Sequence, residues 1–258
     1  GHLDVDGDGA ADLFVGGFFV DAAGPRINCG GAFVVMGSPS YPATTVVDLL
    51  IGADFSLWGA TAGDQEGRSL AVGDLNGDGF GDLVSGAILD DPGGRIDAGE
   101  VHVIYGGASF PVTASWDILI RPPNMRLLGD NGGDNLGRSV AVLDLNGNGV
   151  GDLFAGAPFA DPVTATDAGK VYGIYGASTW PATYIFDLNL TPPNVVVTGD
   201  DSLDQAGWAL GKGDIGSDAV TDLLLGANLA YPFGRTDAGE AYVIYGKVDV
   251  TPTPSPTR

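Results

Sequence analysis

The chain has 258 residues with 33 acidic and 11 basic side chains, a formal charge of −22. Such a field repels nucleic acid and anionic membranes, which are gripped through Lys/Arg clusters that this chain lacks; the longest apolar stretch, Leu13 to Val20, is interrupted by Gly16 and Gly17 and too short to cross a bilayer. A hydrophobic content of 44% suffices for a core, 43 glycines demand many turns, and the single cysteine, Cys29, rules out an internal disulfide and reads as a buried, inert thiol.

Near the start stands the phrase Asp4-Val5-Asp6-Gly7-Asp8-Gly9-Ala10-Ala11-Asp12, running into an apolar strand, Asp12-Leu13-Phe14-Val15. An alternating strand follows at Gly30 to Gly37, then an outer strand anchored by Asp48. Gly1 aligns with Ala71 of the next unit, so the first unit is expected to lack its first strand. An unpaired edge templates association, which makes this gap the sequence's hint of assembly. The second unit is complete: a Gly67-Arg68-Ser69 strand, the loop Asp74 to Asp82, the strand Asp82 to Ser85, a Gly86-Ala87-Ile88 turn, the strand Gly99 to Gly106 and an outer strand at Asp117. His102 alternates with apolar residues there and reads as an ordinary strand position. The third unit repeats the order with Gly137-Arg138-Ser139, Asp144 to Asp152, Gly156-Ala157-Pro158, Gly169 to Gly176 and Asp187. The fourth has Gly207-Trp208-Ala209, a worn loop from Asp214 to Asp222, a strand Gly239 to Gly246, and Lys247 to Val250 in the outer position after a shortened loop.

The four loops begin at residues 4, 74, 144 and 214, a constant period of 70. Four short strands per period and no helical pattern predict an all-β fold: a β-propeller of four-stranded blades, about 1–52, 53–122, 123–192 and 193–250, the first lacking one strand. Solenoid repeats are shorter, roughly 20–45 residues. Residues 251–258 form a Pro/Thr-rich tail of polyproline-II composition, suited to a linker or to O-glycans.

Oxygen-bearing residues at loop positions 1, 3 and 5 converge when the backbone curls, glycine at position 6 permits the turn, a backbone carbonyl at position 7 and a carboxylate at position 9 close the shell. The candidate ligands are Asp4, Asp6, Asp8, Ala10 and Asp12; Asp74, Asn76, Asp78, Phe80 and Asp82; Asp144, Asn146, Asn148, Val150 and Asp152; and Asp214, Asp218, Val220 and Asp222. Oxygen donors without His or Cys select Ca²⁺. An EF-hand needs an acid at position 12, where Val15, Ser85, Ala155 and Leu225 stand. Three loops are therefore expected to hold Ca²⁺, while the fourth, with Gly216 at position 3 and Ala219 at position 6, has lost a ligand and strained its turn.

From Leu3 to about Val250 the chain resembles the FG-GAP repeats of the integrin alpha-subunit propeller and its bacterial relatives. Gly156-Ala157-Pro158 matches their Gly-Ala-Pro in full, Gly86-Ala87-Ile88 and Gly226-Ala227-Asn228 match it without the proline, and Glu66-Gly67, Leu136-Gly137 and Ala206-Gly207 stand for Phe-Gly. The resemblance implies a propeller with calcium between the first two strands of each blade, held by Asp4, Asp6, Asp8, Asp12 and their counterparts. Four repeats are compatible with a four-bladed ring, half of a larger ring, or a ring completed by another chain.

No Gly-x-Ser-x-Gly elbow and no phosphate-binding Gly-x-x-x-x-Gly-Lys-Ser/Thr loop occurs, and the only histidines are His2 and His102, so no catalytic residues are assigned and a non-enzyme is expected. Trp58, Trp116, Trp180 and Trp208 suit either packing between blades or stacking on sugars. The reading is an extracellular or cell-surface calcium-binding propeller that serves structure or adhesion and self-assembles as an oligomer or filament subunit. The alternative is a soluble or cell-surface module that binds a protein or glycan; neither uses nucleic acid or inserts into a membrane.

Overall fold

The computed structural model describes residues 4–22, 24–38, 46–110, 115–163 and 165–247. Gly1, His2, the strand expected at 248–250 and the tail 251–258 lie outside the described residues. Blade 1 contains β1 (Leu13–Gly16), β2 (Gly31–Val35) and β3 (Phe55–Trp58). Blade 2 contains β4 (Ser69–Gly73), β5 (Asp82–Ala87) and β6 (Glu100–Ile104). The chain then forms β7 (Ser115–Asp117) and β8 (Met125–Leu128) before entering blade 3 with β9 (Ser139–Leu143), β10 (Asp152–Ala157) and β11 (Lys170–Ile174). After β12 (Tyr184–Asp187) and β13 (Val195–Thr198) comes blade 4, with β14 (Ala206–Gly213), β15 (Asp222–Ala227) and β16 (Glu240–Ile244). Within each blade the strands run antiparallel, and every residue of β2, β5, β6, β9 and β10 is buried. A sheet covered on both faces explains why these strands read as near-continuous apolar runs and do not alternate cleanly.

The outer strands depart from the sequence reading. The strand at Asp117 does not finish its own blade: β7 pairs in parallel with β3, with Ser56 opposite Ser115 and Trp58 opposite Asp117. In the same way β12 pairs in parallel with β8, so the sheet of blade 2 has the order β12-β8-β6-β5-β4. The fourth strand of a blade is the segment before the next Gly-Arg-Ser, as β8 for blade 2 and β13 for blade 3. Each handed-over strand is clamped by an arginine of the blade it joins. Arg26 holds both carboxylate oxygens of Asp117, and Arg95 holds Asp187 at 2.9 Å. Two-pronged pairs of this kind fix register as well as charge. Each aspartate also starts a helical turn, its carbonyl accepting from Arg121 or Thr191 and its side chain from Leu119 or Asn189. At Asp48 the corresponding turn is a short helix, α1 (Leu49–Gly52), where no helix was expected.

Three apolar seams join the four blades. Val34, Leu57, Val72 and Ile104 pack between blades 1 and 2; Val84, Leu127, Val140 and Leu153 between 2 and 3; Leu143, Phe154, Val171 and Leu223 between 3 and 4. The two glycines of the repeat motif meet at these seams. A methyl group added at Gly16, Gly86 or Gly156 would overlap the carbonyl oxygen of Gly67, Gly137 or Gly207 respectively, in the next blade. Gly67, Gly137 and Gly207 have φ of +79°, +88° and +88°, a left-handed conformation open to glycine. The serine of Gly-Arg-Ser ties the following seam, Ser69 Oγ donating to Gly137 O and Ser139 Oγ to Gly207 O, each at 2.7 Å. Among the described residues no apolar cluster joins blade 4 to blade 1, and Tyr242, Val243 and Tyr245 of the last blade are exposed. Cys29 is buried and free, its thiol pushed up by burial.

Candidate metal loops

The four loops follow β4, β9 and β14, and precede β1, in one conformation. The position-1 aspartate accepts from the backbone two turns of the curl later: Asp4 from Gly7 N at 2.6 Å and Gly9 N at 3.0 Å, Asp74 from Gly77 N at 2.6 Å and Gly79 N at 2.8 Å. Asp144 accepts from Asn148 N and Gly149 N, and Asp214 from Asp218 N and Ala219 N. Position 3 accepts from the amide of position 5, seen at Asp6, Asn76 and Asn146, and position 5 from that of position 7, at Asp8, Asp78, Asn148 and Asp218. In the first loop this brings carboxylate oxygens of Asp4, Asp6 and Asp8 within 4.8 Å of one another. Burial, reinforced by the charges of Asp8, Asp12 and Asp4, pushes the Asp6 carboxyl up. Clustered anionic oxygens are what a hard divalent cation neutralises.

Position 9 has a second duty that spacing alone did not reveal. Asp12 accepts from Val5 N and Gly37 N, Asp82 from Leu75 N and Gly106 N, Asp152 from Leu145 N and Gly176 N, and Asp222 from Ile215 N and Gly246 N, at 2.7–3.0 Å. Each therefore staples the start of its loop to the end of the third strand. This backbone role accounts for the constant terminal aspartate even in the worn fourth loop. Burial, then the charges of Asp78 and Asp74, raise Asp82 to about 7; Asp152 rises to about 6, again chiefly by burial.

At position 7 the side chains plug gaps between neighbouring loops. Phe80 lies where a side chain at Gly7 would stand and Val150 packs against Gly77, while Val220 packs against Gly246 at the end of the third strand of its own blade. Backbone bonds join one loop to the next, Gly81 N donating to Asp4 O and Gly151 N to Asp74 O. The position-1 aspartates Asp4, Asp74, Asp144 and Asp214 all border one cleft of about 1000 Å³. Lys212 is the lysine of its lining; it donates to Val142 O at 2.5 Å, and burial lowers its pKa.

The strain expected in the fourth loop is present. Ser217 and Ala219 have φ of +56° and +68°, where the third loop has Gly147 and Gly149 at +71° and +86°. A side chain in this region costs about 1–2 kcal/mol. Ala219→Gly is accordingly expected to raise stability by about 1 kcal/mol, and Tm by about 2–4 °C for a chain of this size. An unchanged melting curve would show that the turn is relaxed.

Two other groups singled out by sequence have changed meaning. Trp116 is buried in the first seam, its Nε1 donating to Arg121 O at 2.9 Å, so its ring is not offered to a sugar. His102, read as an ordinary strand position, is wholly buried between Glu66 and Glu100, with Arg126 bound to Glu100.

Blades joined at paired glycines, each opening on an acidic loop, define a repeat propeller. The chain is an FG-GAP repeat protein: the family model for the FG-GAP repeat matches residues 67–104 and 136–174. It is 34% identical over 179 residues to phosphatidylinositol-glycan-specific phospholipase D of Bos taurus, a match covering 69% of this chain and 20% of that one. It is also 31% identical over 195 residues to integrin alpha pat-2 of Caenorhabditis elegans, covering 72% and 14%, and 31% identical over 211 residues to integrin alpha-3 of Cricetulus griseus, covering 75% and 18%. The chain thus spans a fifth or less of these relatives' length.

The kinship corrects one expectation. A non-enzyme was expected because no catalytic motif was found, yet relatives about a third identical are named as a phospholipase, an enzyme. A search for local motifs is blind to residues brought together from distant segments, so their absence did not carry that conclusion. No described helix is long and apolar enough to cross a membrane.

Proposed function

We propose that this chain is a calcium-binding propeller of an extracellular or cell-surface protein, in which the cation loops fasten the blades and the outer faces serve adhesion or recognition. The observation that carries the reading is the convergence of Asp4, Asp6 and Asp8, in a loop that recurs every 70 residues. Asp4, Asp6, Asp8, Asp12, Asp74, Asn76, Asp78, Asp82, Asp144, Asn146, Asn148 and Asp152 would hold three ions, with the carbonyls of Ala10, Phe80 and Val150. The fourth loop offers Asp214, Asp218, Asp222 and the Val220 carbonyl and binds more weakly. Likeness to integrin alpha chains supports a protein partner, and the exposed Tyr242, Val243 and Tyr245 support self-association across the last blade.

Calcium titration followed by calorimetry is expected to show three strong sites. An ion at a hundredfold excess over its Kd adds about 2.7 kcal/mol per site. Chelation should then lower Tm by about 5–10 °C for each site emptied. A melting curve indifferent to chelator would overturn the reading. Light scattering in calcium tests assembly: a monomer at all concentrations would remove self-association and leave recognition of another protein or a glycan.

A further inference from the structure

A second cluster of ionisable groups lies at the opposite end of blade 2 from its cation loop. Glu100 and His102 project from β6, Asp90 from the turn between β5 and β6, and Glu66 from the segment before β4. Their ligand atoms in Asp90, Glu100 and His102 lie within 4.8 Å of one another. His102 Nδ1 is 2.7 Å from Glu66 Oε2, and its Nε2 is 3.1 Å from Glu100 Oε2. With Nδ1–H donated to Glu66, the Nε2 lone pair would face a carboxylate oxygen directly. Two lone pairs do not tolerate that spacing, so a positive charge stands between them, and it is either a proton or a metal ion. Glu66 and Arg126 are the supports that a metal-bound histidine and carboxylate require, one orienting the ring and the other holding Glu100 through Nε at 2.9 Å and Nη2 at 2.6 Å.

We propose that Asp90, Glu100 and His102 form a site for one zinc-class transition-metal ion, with Glu66 and Arg126 as positioning residues. The donor set decides the class. One imidazole nitrogen and two carboxylates suit a borderline ion, whereas calcium takes six to eight oxygens. Zinc with bonds of 2.0–2.2 Å places tetrahedral ligands about 3.4 Å apart, close to the 3.1 Å between His102 Nε2 and Glu100 Oε2. Asp90 is only partly buried and its carboxylate accepts no hydrogen bond among the described residues, which gives the ion an approach from solvent and leaves a fourth position for water. Glu66 is wholly buried and its Oε1 has no hydrogen-bond partner among the described residues, so the cluster carries negative charge that these residues do not satisfy.

The sister blade shows that the fold does not need these groups. At the same register, where His102 faces Ser85, Tyr172 faces Ala155, and Lys170 replaces Glu100. Without a metal the imidazolium fills the gap: although burial opposes its charge, the facing glutamates hold its pKa well above the usual value. Uptake of the ion therefore releases the Nε2 proton to solvent.

The test is a Zn²⁺ titration of the calcium-saturated protein by calorimetry, repeated with Co²⁺ and visible absorption. The expected result is one additional ion per chain, with cobalt bands of a low-coordinate site. His102→Gln should abolish it, Glu66→Gln should weaken it about 10–100-fold, and Asp90→Asn by at least about tenfold, with calcium binding unchanged. Asp90 is partly exposed, so its variant keeps the test valid should His102→Gln fail to fold. No zinc uptake by the calcium-saturated protein, or uptake undiminished in Asp90→Asn, would overturn the proposal and assign the charge to the proton. Calcium titrations report on the cation loops separately, so the two readings fail independently.

Discussion

Gly156→Ala is expected to cost about 3 kcal/mol or more and to lower Tm by about 6–12 °C, because the new methyl group would occupy the space of the Gly207 carbonyl oxygen. Backbone cannot rotate out of the way as a side chain can, so the third seam must open. Gly86→Ala should behave alike against Gly137. The fourth copy supplies an internal control: a methyl at Gly226 meets nothing nearer than 3.8 Å, and Gly226→Ala should be close to neutral. Thermal melts of the three variants decide the matter. Equal losses at all three would place the effect within the strands and not at the seams.

Asp82→Ala and Asp78→Ala are expected to separate the two duties of the loop. Asp82 receives the buried amide of Leu75 and the partly buried amide of Gly106, and removing it strands both, at about 1–3 kcal/mol each, whether or not calcium is present. Among the described residues Asp78 accepts from Phe80 and Asn76 alone, near solvent, so its loss should matter mainly through the ion. Melting each variant with calcium and with chelator gives the answer. Should Asp82→Ala become harmless in chelator, the backbone staple is not what the terminal aspartate provides.

Much of the fold was legible because the period of 70 forces every unit to solve the same packing problem. The paired glycines and the strained Ala219 were readable for the same reason: a missing or added Cβ has a local consequence. The handed-over strand was not. Ser115-Trp116-Asp117 is three residues long, and nothing local tells which blade it edges; the clamp Arg26–Asp117 joins residues 91 positions apart. His102 does lie on a strand, as its alternation predicts, but its acidic partner was not legible on the same grounds, since Glu66 lies 36 residues upstream, in the segment before β4. The terminal aspartates were assigned as ligands because metal coordination explains their spacing, but amides of the third strand, invisible to a motif, explain it too.

The borrowed edge strands carry a mechanical consequence. Because β7 completes blade 1 while belonging to the stretch of chain that builds blade 2, and β12 likewise laps from blade 3 onto blade 2, the blades overlap like shingles. No cut between units releases an undamaged one. Tension along the polypeptide loads each parallel pair in shear, with its hydrogen bonds stressed together, so force is shared across the splice before any single blade peels away.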